Sequence, residues 1–199
     1  MENILSLNLK KVFNIVSALF LSAAVIFGSE AKADTENGYF EEKAKYGSWR
    51  TGYLYLNNET FARMATFNHE TLSAFAVDLK GNYYFASLIV AKTPKYKGRI
   101  NNTNTTKIPC QLRIDSREIF YNSCYLEETT DSFYIVIPEG LDLRFLEEAR
   151  KGYTLRIKLE TYDPIYFSFS LKGFTKGYAK SHSSIAQDGN KRSVDLNDC

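Results

Sequence analysis

Two cysteines in the second half of the chain are the clearest local indication of chemistry. Cys110 and Cys124 are placed symmetrically about Arg117, so a hairpin that turned there would bring both side chains to one face. Oxidation would close a loop of about 15 residues and stabilise the fold by roughly 3 kcal/mol. We therefore predict a disulfide between them, with two reduced core thiols as the alternative. The third cysteine, Cys199, could pair with either one, join two chains or stay free, so the oligomeric state is left open.

The two histidines are the candidates for acid–base chemistry. His69 lies at a predicted turn, and His182 lies in a Ser-His-Ser-Ser run that invites a nucleophile-and-base interpretation. Neighbours in sequence do not form a catalytic triad, whose members must converge in space. The chain also has no Gly-x-Ser-x-Gly elbow. We therefore predict no catalytic residues, and a small hydrolase that uses His69 or His182 is the least favoured alternative.

The sequence lacks the usual spacings of a metal or cofactor site. It has no His-x-x-x-His or Cys-x-x-Cys pattern for zinc and no glycine-rich phosphate loop. Two acidic pairs, Glu127-Glu128 and Glu147-Glu148, are interpreted as a strand end or loop and as the solvated side of a helix. We expect no metal ion and no cofactor.

Exposed residues of two predicted strands are the best candidates for binding. Arg156 and Lys158 on one strand, with Tyr166 and Lys172 on the next, would form a basic surface with an aromatic edge. Tyrosine and arginine are enriched at protein interfaces, so this face could recruit a protein partner or a host or envelope surface. The alternative, favoured by base rates for exposed charge, is an ordinary solvated sheet face.

The elements that position these residues are predicted to be mainly β. Residues 153–160 and 165–172 alternate apolar and polar side chains, which is typical of an antiparallel pair with one face on a core. Residues 83–91 are apolar on both faces, as in a central strand. The chain has 14 Tyr and 14 Phe, which favour strands. Helices are predicted over residues 141–150 and from Thr175.

Turn signals between many short strands predict an antiparallel β-sandwich or partly closed barrel with one or two short helices. Residues 34–46 are polar and without periodicity, and we predict a flexible leader there. A single β-rich domain is predicted over residues 47–185, followed by a disordered tail at residues 186–199.

The N-terminus predicts export. Lys10 and Lys11 precede an apolar run at residues 12–27, and Ala31-Lys32-Ala33 fits cleavage after Ala33, which makes residues 1–33 a signal peptide. A retained membrane anchor is the alternative, but the run is shorter than the roughly 20 residues that span a bilayer. We predict a periplasmic, secreted or outer-membrane-associated protein with no transmembrane segment after cleavage. Cleavage lowers the formal net charge from +2 to +1, since three basic and two acidic residues leave. This near-neutral charge gives no electrostatic case for nucleic acid.

Four segments of the second half follow one another in an order that resembles a known family. They are, in chain order, residues 112–115, 120–124, 145–155 and 169–175. The Ser-Leu-Lys-Gly-Phe-Thr run at residues 170–175 is the most specific. With Gly47-Ser48-Trp49 upstream, they resemble the invasion-associated locus B family of bacterial exported proteins over about residues 47–180. The resemblance implies a signal peptide, a compact β-rich domain, no established enzymatic activity and a role in the invasion of host cells.

The cysteines depart from the family pattern. Members commonly carry a cysteine soon after the tryptophan and another a little later, and Gly52 and Met64 lie at about those places here. Their joint loss is what the loss of one disulfide would produce. A second family bridge ends at the cysteine that matches Cys124, with its partner only a few residues upstream, whereas the candidate partner here is Cys110.

The residues and the resemblance together predict an exported, non-enzymatic protein of the invasion-associated locus B type. Its expected role is that of a binding or adaptor protein in host-cell invasion or envelope interaction. A structural or stress-related periplasmic factor with no host role is the main alternative.

Overall fold

The computed structural model describes residues 39–56, 59–81, 83–100, 107–128, 133–139, 141 and 143–183. Ten strands in this part of the chain form one antiparallel sheet: β1 (Tyr39–Tyr46), β2 (Trp49–Leu56), β3 (Glu59–Asn68), β4 (Ser73–Lys80), β5 (Tyr83–Ala91), β6 (Lys107–Ile114), β7 (Ile119–Glu128), β8 (Phe133–Pro138), β9 (Thr154–Leu159) and β10 (Ile165–Ser170). Their spatial order is β1-β2-β3-β4-β5-β8-β7-β6-β9-β10. The predicted mainly β, antiparallel fold is confirmed, and the sheet is not closed into a barrel. The predicted signal peptide and C-terminal tail lie outside the described residues.

Residues 39–46, which the sequence assigned to a flexible leader, form β1 instead. β1 pairs with β2 and carries a bulge between Glu42 and Ala44. Only Phe40 is classed as fully buried among the residues from Phe40 to Tyr46. An edge strand rich in charge lacks the apolar alternation that marks a half-buried strand, which explains why the pattern missed it.

The inner face of the sheet holds the main core, and β9 and β10 show the reason. Phe167 pairs with Ile157 in an unbroken register of six residue pairs. The alternating apolar side chains all point inward and are at most 2% exposed: Leu155, Ile157, Leu159, Ile165, Phe167 and Phe169. The predicted antiparallel pair, with one face on a core, is therefore confirmed.

Helices cover this inner face. They are α1 (Pro94–Ile100), α2 (Leu143–Lys151) and a C-terminal helix over residues 174–183. Each places aromatic or aliphatic side chains in the main core, namely Tyr96 and Ile100, Phe145, Leu146 and Ala149, and Phe174. The predictions for α2 and the C-terminal helix are confirmed. α1 was not predicted, because seven residues that include a proline and a glycine give too short a helical pattern.

The outer face of the middle strands is also buried, and an ion pair lies at its centre. Arg63 on β3 is directly opposite Asp78 on β4. The guanidinium binds the carboxylate with both arms, Nε to Oδ1 at 2.6 Å and Nη2 to Oδ2 at 2.7 Å. The side chains are 0% and 2% exposed. β5 is buried on both faces as predicted, since Leu88 and Val90 join the main core while Ile89 is buried on the opposite side.

The turn before β2 docks on the end of β10, and the two most distinctive sequence motifs meet there. The Ser48 amide donates to the Lys172 carbonyl at 2.9 Å, and the Trp49 indole donates to the Ser170 carbonyl at 3.0 Å. Gly47 and Gly173 both have positive φ, and a Cβ on either one would overlap backbone of the other segment. Only glycine allows this close approach without strain. The Gly-Ser-Trp and Ser-Leu-Lys-Gly-Phe-Thr motifs therefore have a structural role.

The predicted disulfide between Cys110 and Cys124 is present and links β6 to β7, with a Cα–Cα distance of 5.8 Å. The cysteines are diagonal neighbours, because Cys110 pairs with Asn122 and Cys124 with Ile108. The pairing of Arg113 with Ile119 centres the hairpin one residue before Arg117. Both sulfur-bearing side chains face the main core.

Gly52 and Met64 do not mark a lost bridge. Met64 is paired with Thr51, and Gly52 is paired with Arg63. Because neighbouring strand residues point to opposite faces, Gly52 lies on the outer side and Met64 lies in the inner core. The interpretation of these two positions as one missing disulfide is wrong.

Glu127 on β7 offers a pH-dependent test of the outer face. Partial burial raises the pKa of its carboxyl above the ordinary value of 4.5. The side-chain carboxylate has no hydrogen bond or ion pair to the described residues. The folded state therefore keeps this proton to a higher pH than the unfolded chain does. Stability is lost as the pH rises from 4.5 through the folded pKa.

We expect Glu127→Gln to increase the free energy of unfolding at pH 7 by up to about 0.5 kcal/mol and to leave it unchanged near pH 3. Urea unfolding at both pH values measures the difference. Glu128→Gln is the matched control, because the exposed Glu128 carboxylate is paired with Lys92 at 3.0 Å. A gain from Glu128→Gln equal to that from Glu127→Gln would contradict the burial argument.

Candidate binding face

The outward side chains of β7, β6, β9 and β10 line up in rows across the four strands. One row contains Tyr166, Lys158, Gln111 and Tyr121, since each is paired with the next in the register. The adjacent row contains Ser168, Arg156, Arg113 and Ile119 by the same pairings. We call these eight residues the basic face. Because the opposite side of all four strands packs into the main core, the sheet holds the rows in fixed positions.

Two largely exposed tyrosines lie at the two ends of the first row. Tyr166 is 65% exposed and Tyr121 is 73% exposed. Lys158 lies between them, with its Nζ 5.9 Å from the centre of the Tyr166 ring. This distance is at the outer limit of a cation–π contact. Large exposed aromatic side chains on a rigid sheet are suited to contact with another molecule.

Lys158 is partly neutralised within the face. Its Nζ is 2.7 Å from the Glu160 carboxylate, which also accepts a hydrogen bond from Gln111 at 2.5 Å. The hydrogen bond from Lys158 to Glu160 raises the pKa of the ammonium group, and the charge of Glu160 adds to the effect. Lys158 therefore stays protonated at neutral pH, but its charge has a partner.

The two arginines of the second row are held by the β6–β7 turn. Arg156 donates to the Asp115 carbonyl at 2.7 Å. Arg113 donates to the Ser116 carbonyl at 2.9 Å and to the Arg117 carbonyl at 3.1 Å. The turn is itself anchored, because the Asp115 carboxylate accepts hydrogen bonds from the backbone amides of residues 153 and 154. Neutral carbonyls therefore fix the positions of both guanidinium groups.

The structure brings three of the four predicted binding residues together. Arg156, Lys158 and Tyr166 share the basic face, whereas Lys172 lies beyond the end of β10 in the turn that docks on Ser48. The exposed Lys172 side chain makes no contact with the other three among those that the structure shows. Whether any of the four binds a partner stays a prediction.

The sequence prediction missed Arg113, Gln111 and Tyr121. Their outward orientation follows from the alternation of β6 and β7, in which Cys110, Leu112 and Ile114 face the core. The pairing of β6 with β9, however, joins segments that are far apart in sequence. No local pattern predicts such a pairing, so the two halves of the face could not be joined in advance.

The two histidines lie on different elements of the described part of the chain. His69 lies in the turn between β3 and β4, and His182 lies in the C-terminal helix with its ring 5.9 Å from the Tyr178 ring. The neighbouring Ser181 hydroxyl is buried and has no hydrogen-bond partner among the described residues. Within the described ranges, no three His, Cys, Asp or Glu side chains converge to hold a metal ion. No described helix has the length and apolar character needed to cross a bilayer.

Comparison with known proteins identifies a solved structure with a similar fold. No protein-family model matches the chain, and no curated protein matches it. Among solved structures, the crystal structure of invasion associated protein B from Bartonella henselae is similar, with a TM-score of 0.52 and 17% sequence identity. The similarity covers 73% of this chain and 96% of the Bartonella chain. The resemblance found in the sequence is confirmed at the level of architecture: the chain has the fold of invasion associated protein B.

Proposed function

We propose that this protein is exported, loses residues 1–33, and acts without catalysis as a binding protein for a protein partner on a host-cell or envelope surface. The fold shared with a protein named for its association with invasion supports this role. The apolar run at residues 12–27 and the small residues before Asp34 support the proposed export and cleavage. The proposed location is the periplasm, the outer membrane or the exterior.

The basic face is the proposed contact surface, and the row from Tyr166 to Tyr121 is the observation that carries the proposal. Exposed tyrosines provide a large contact area at low conformational cost, and tyrosine and arginine dominate the binding energy of many interfaces. The four strands present these side chains in one plane. A partner that contacts both tyrosines would also cover Lys158 and Gln111 between them.

We expect the double variant Tyr121→Ala/Tyr166→Ala to bind host cells or envelope fractions at least about tenfold more weakly than the parent protein. Binding of the labelled mature protein, residues 34–199, is measured by titration on intact cells and on isolated envelopes. Tyr83→Ala is the matched control, because Tyr83 is 76% exposed but lies on β5, outside the basic face. Equal binding by all three proteins would exclude the basic face as the contact surface.

A further inference from the structure

Arg113 and Arg156 face each other directly across β6 and β9. Like charges in opposite positions of an antiparallel pair destabilise a sheet. Two carboxylates beside the basic face are already engaged, since Asp115 accepts hydrogen bonds from two backbone amides and Glu160 is paired with Lys158. Neither guanidinium forms an ion pair with a described residue. The fold therefore retains two adjacent positive charges without neutralising either one.

The hydrogen bonds of these arginines orient the charges but leave most of their donors unused. A guanidinium has five N–H donors. Arg113 uses two nitrogens on the carbonyls of residues 116 and 117, and Arg156 uses one on the carbonyl of residue 115. The remaining donors of both guanidinium groups have no partner among the described residues, and guanidinium groups bind carboxylates in a bidentate manner.

From this arrangement we propose that Arg113 and Arg156 form a carboxylate-binding site for an acidic segment of the protein partner. This inference rests on the proposed function and names the chemistry that the basic face recognises. Ser168, opposite Arg156, adds an exposed hydroxyl to the same row. The tyrosine row is two residues further along the strands, about 7 Å away. An aspartate or glutamate bound by the two guanidinium groups therefore places neighbouring residues of the segment on Tyr166 or Tyr121.

Binding of a fluorescent Glu-rich peptide to the mature protein tests the site. We expect Arg113→Gln/Arg156→Gln to raise the Kd for the peptide at least about tenfold. Lys43→Gln/Lys45→Gln is the matched control, because it removes the same charge from β1, at the other end of the sheet, and we expect less than a twofold effect. Equal weakening by both double variants would show non-specific attraction and overturn the site. Binding of a sulfated polysaccharide in the same titration, with no binding of the peptide, would also overturn it.

Two further readouts separate this site from a structural role and from the broader proposal. The melting temperature of Arg113→Gln/Arg156→Gln should change little, because removal of the like-charge contact offsets the loss of the hydrogen bonds to the turn carbonyls. A large fall in melting temperature would show that the guanidinium groups hold the turn, and would overturn the inference. Cell binding that is lost in Tyr121→Ala/Tyr166→Ala but intact in the arginine variant would leave the proposed function standing and reject the carboxylate site.

Discussion

Replacing Asp78 by alanine should lower the free energy of unfolding by about 3–5 kcal/mol. This is a large part of the total free energy of unfolding of a domain of this size. The Arg63 guanidinium is 0% exposed and binds Asp78 through both arms. Removal of the carboxylate leaves a buried positive charge without its counter-ion. The loss of stability comes from the buried Arg63 charge that has lost the Asp78 carboxylate. It exceeds the net stabilisation that the intact ion pair provides.

The double variant Arg63→Met/Asp78→Leu distinguishes these two quantities. It removes both charges and fills the space with apolar side chains, so we expect it to recover most of the stability lost by Asp78→Ala. Urea unfolding monitored by the fluorescence of Trp49, the one tryptophan of the chain, measures all three proteins. A double variant as unstable as Asp78→Ala would show that the pair holds the strands together, contrary to our expectation.

Replacement of both Cys110 and Cys124 by alanine is expected to cost about 3 kcal/mol and to lower the melting temperature by roughly 6–12 °C. The bridge joins β6 to β7 and restricts the unfolded chain more than the folded one. Both cysteines are buried to within 1% of full burial. Reductant should therefore act on the native protein only slowly, and alkylation without reduction should leave both residues unmodified.

Thermal unfolding with and without reductant measures the contribution of the bridge. Cys199→Ala is the matched control, since it removes a cysteine that is not part of the bridge, and we expect it to melt with the oxidised parent. Reduced parent protein should resemble Cys110→Ala/Cys124→Ala. If the double alanine variant melts with the oxidised parent, the bridge contributes nothing to stability.

The sequence predicted the structure correctly where a single strand contains the pattern of apolar and polar side chains that identifies it. The alternation over residues 153–160 and the two-sided burial of β5 depend on side chains that each strand supplies by itself. The disulfide was predictable because both cysteines lie in one hairpin. Its diagonal geometry was not, because the hairpin is centred before Arg117 and Asp115 adopts a positive φ of 52°, a conformation that nothing in its local sequence demands.

The remaining features depend on neighbours that the sequence does not reveal. β1 has few buried side chains, and its pairing with β2 forms the strand. The basic face requires β6 beside β9, so Arg113 and Arg156 could only be joined by the fold. The tyrosines at the two ends of the first row come from β10 and β7, and neither strand predicts the position of the other.

The docking of Gly47-Ser48-Trp49 on the last strand makes the start and the end of the domain depend on each other. Trp49 and the carbonyl that receives its indole are 121 positions apart in the chain. During synthesis or refolding, the contacts of Trp49 with the Ser170 carbonyl and with the Phe174 ring form only after almost the whole polypeptide is present. We therefore expect the docking of Trp49 on the end of β10 to be a late step in folding. A fragment that stops short of β10 would keep the Trp49 site open and be prone to aggregation.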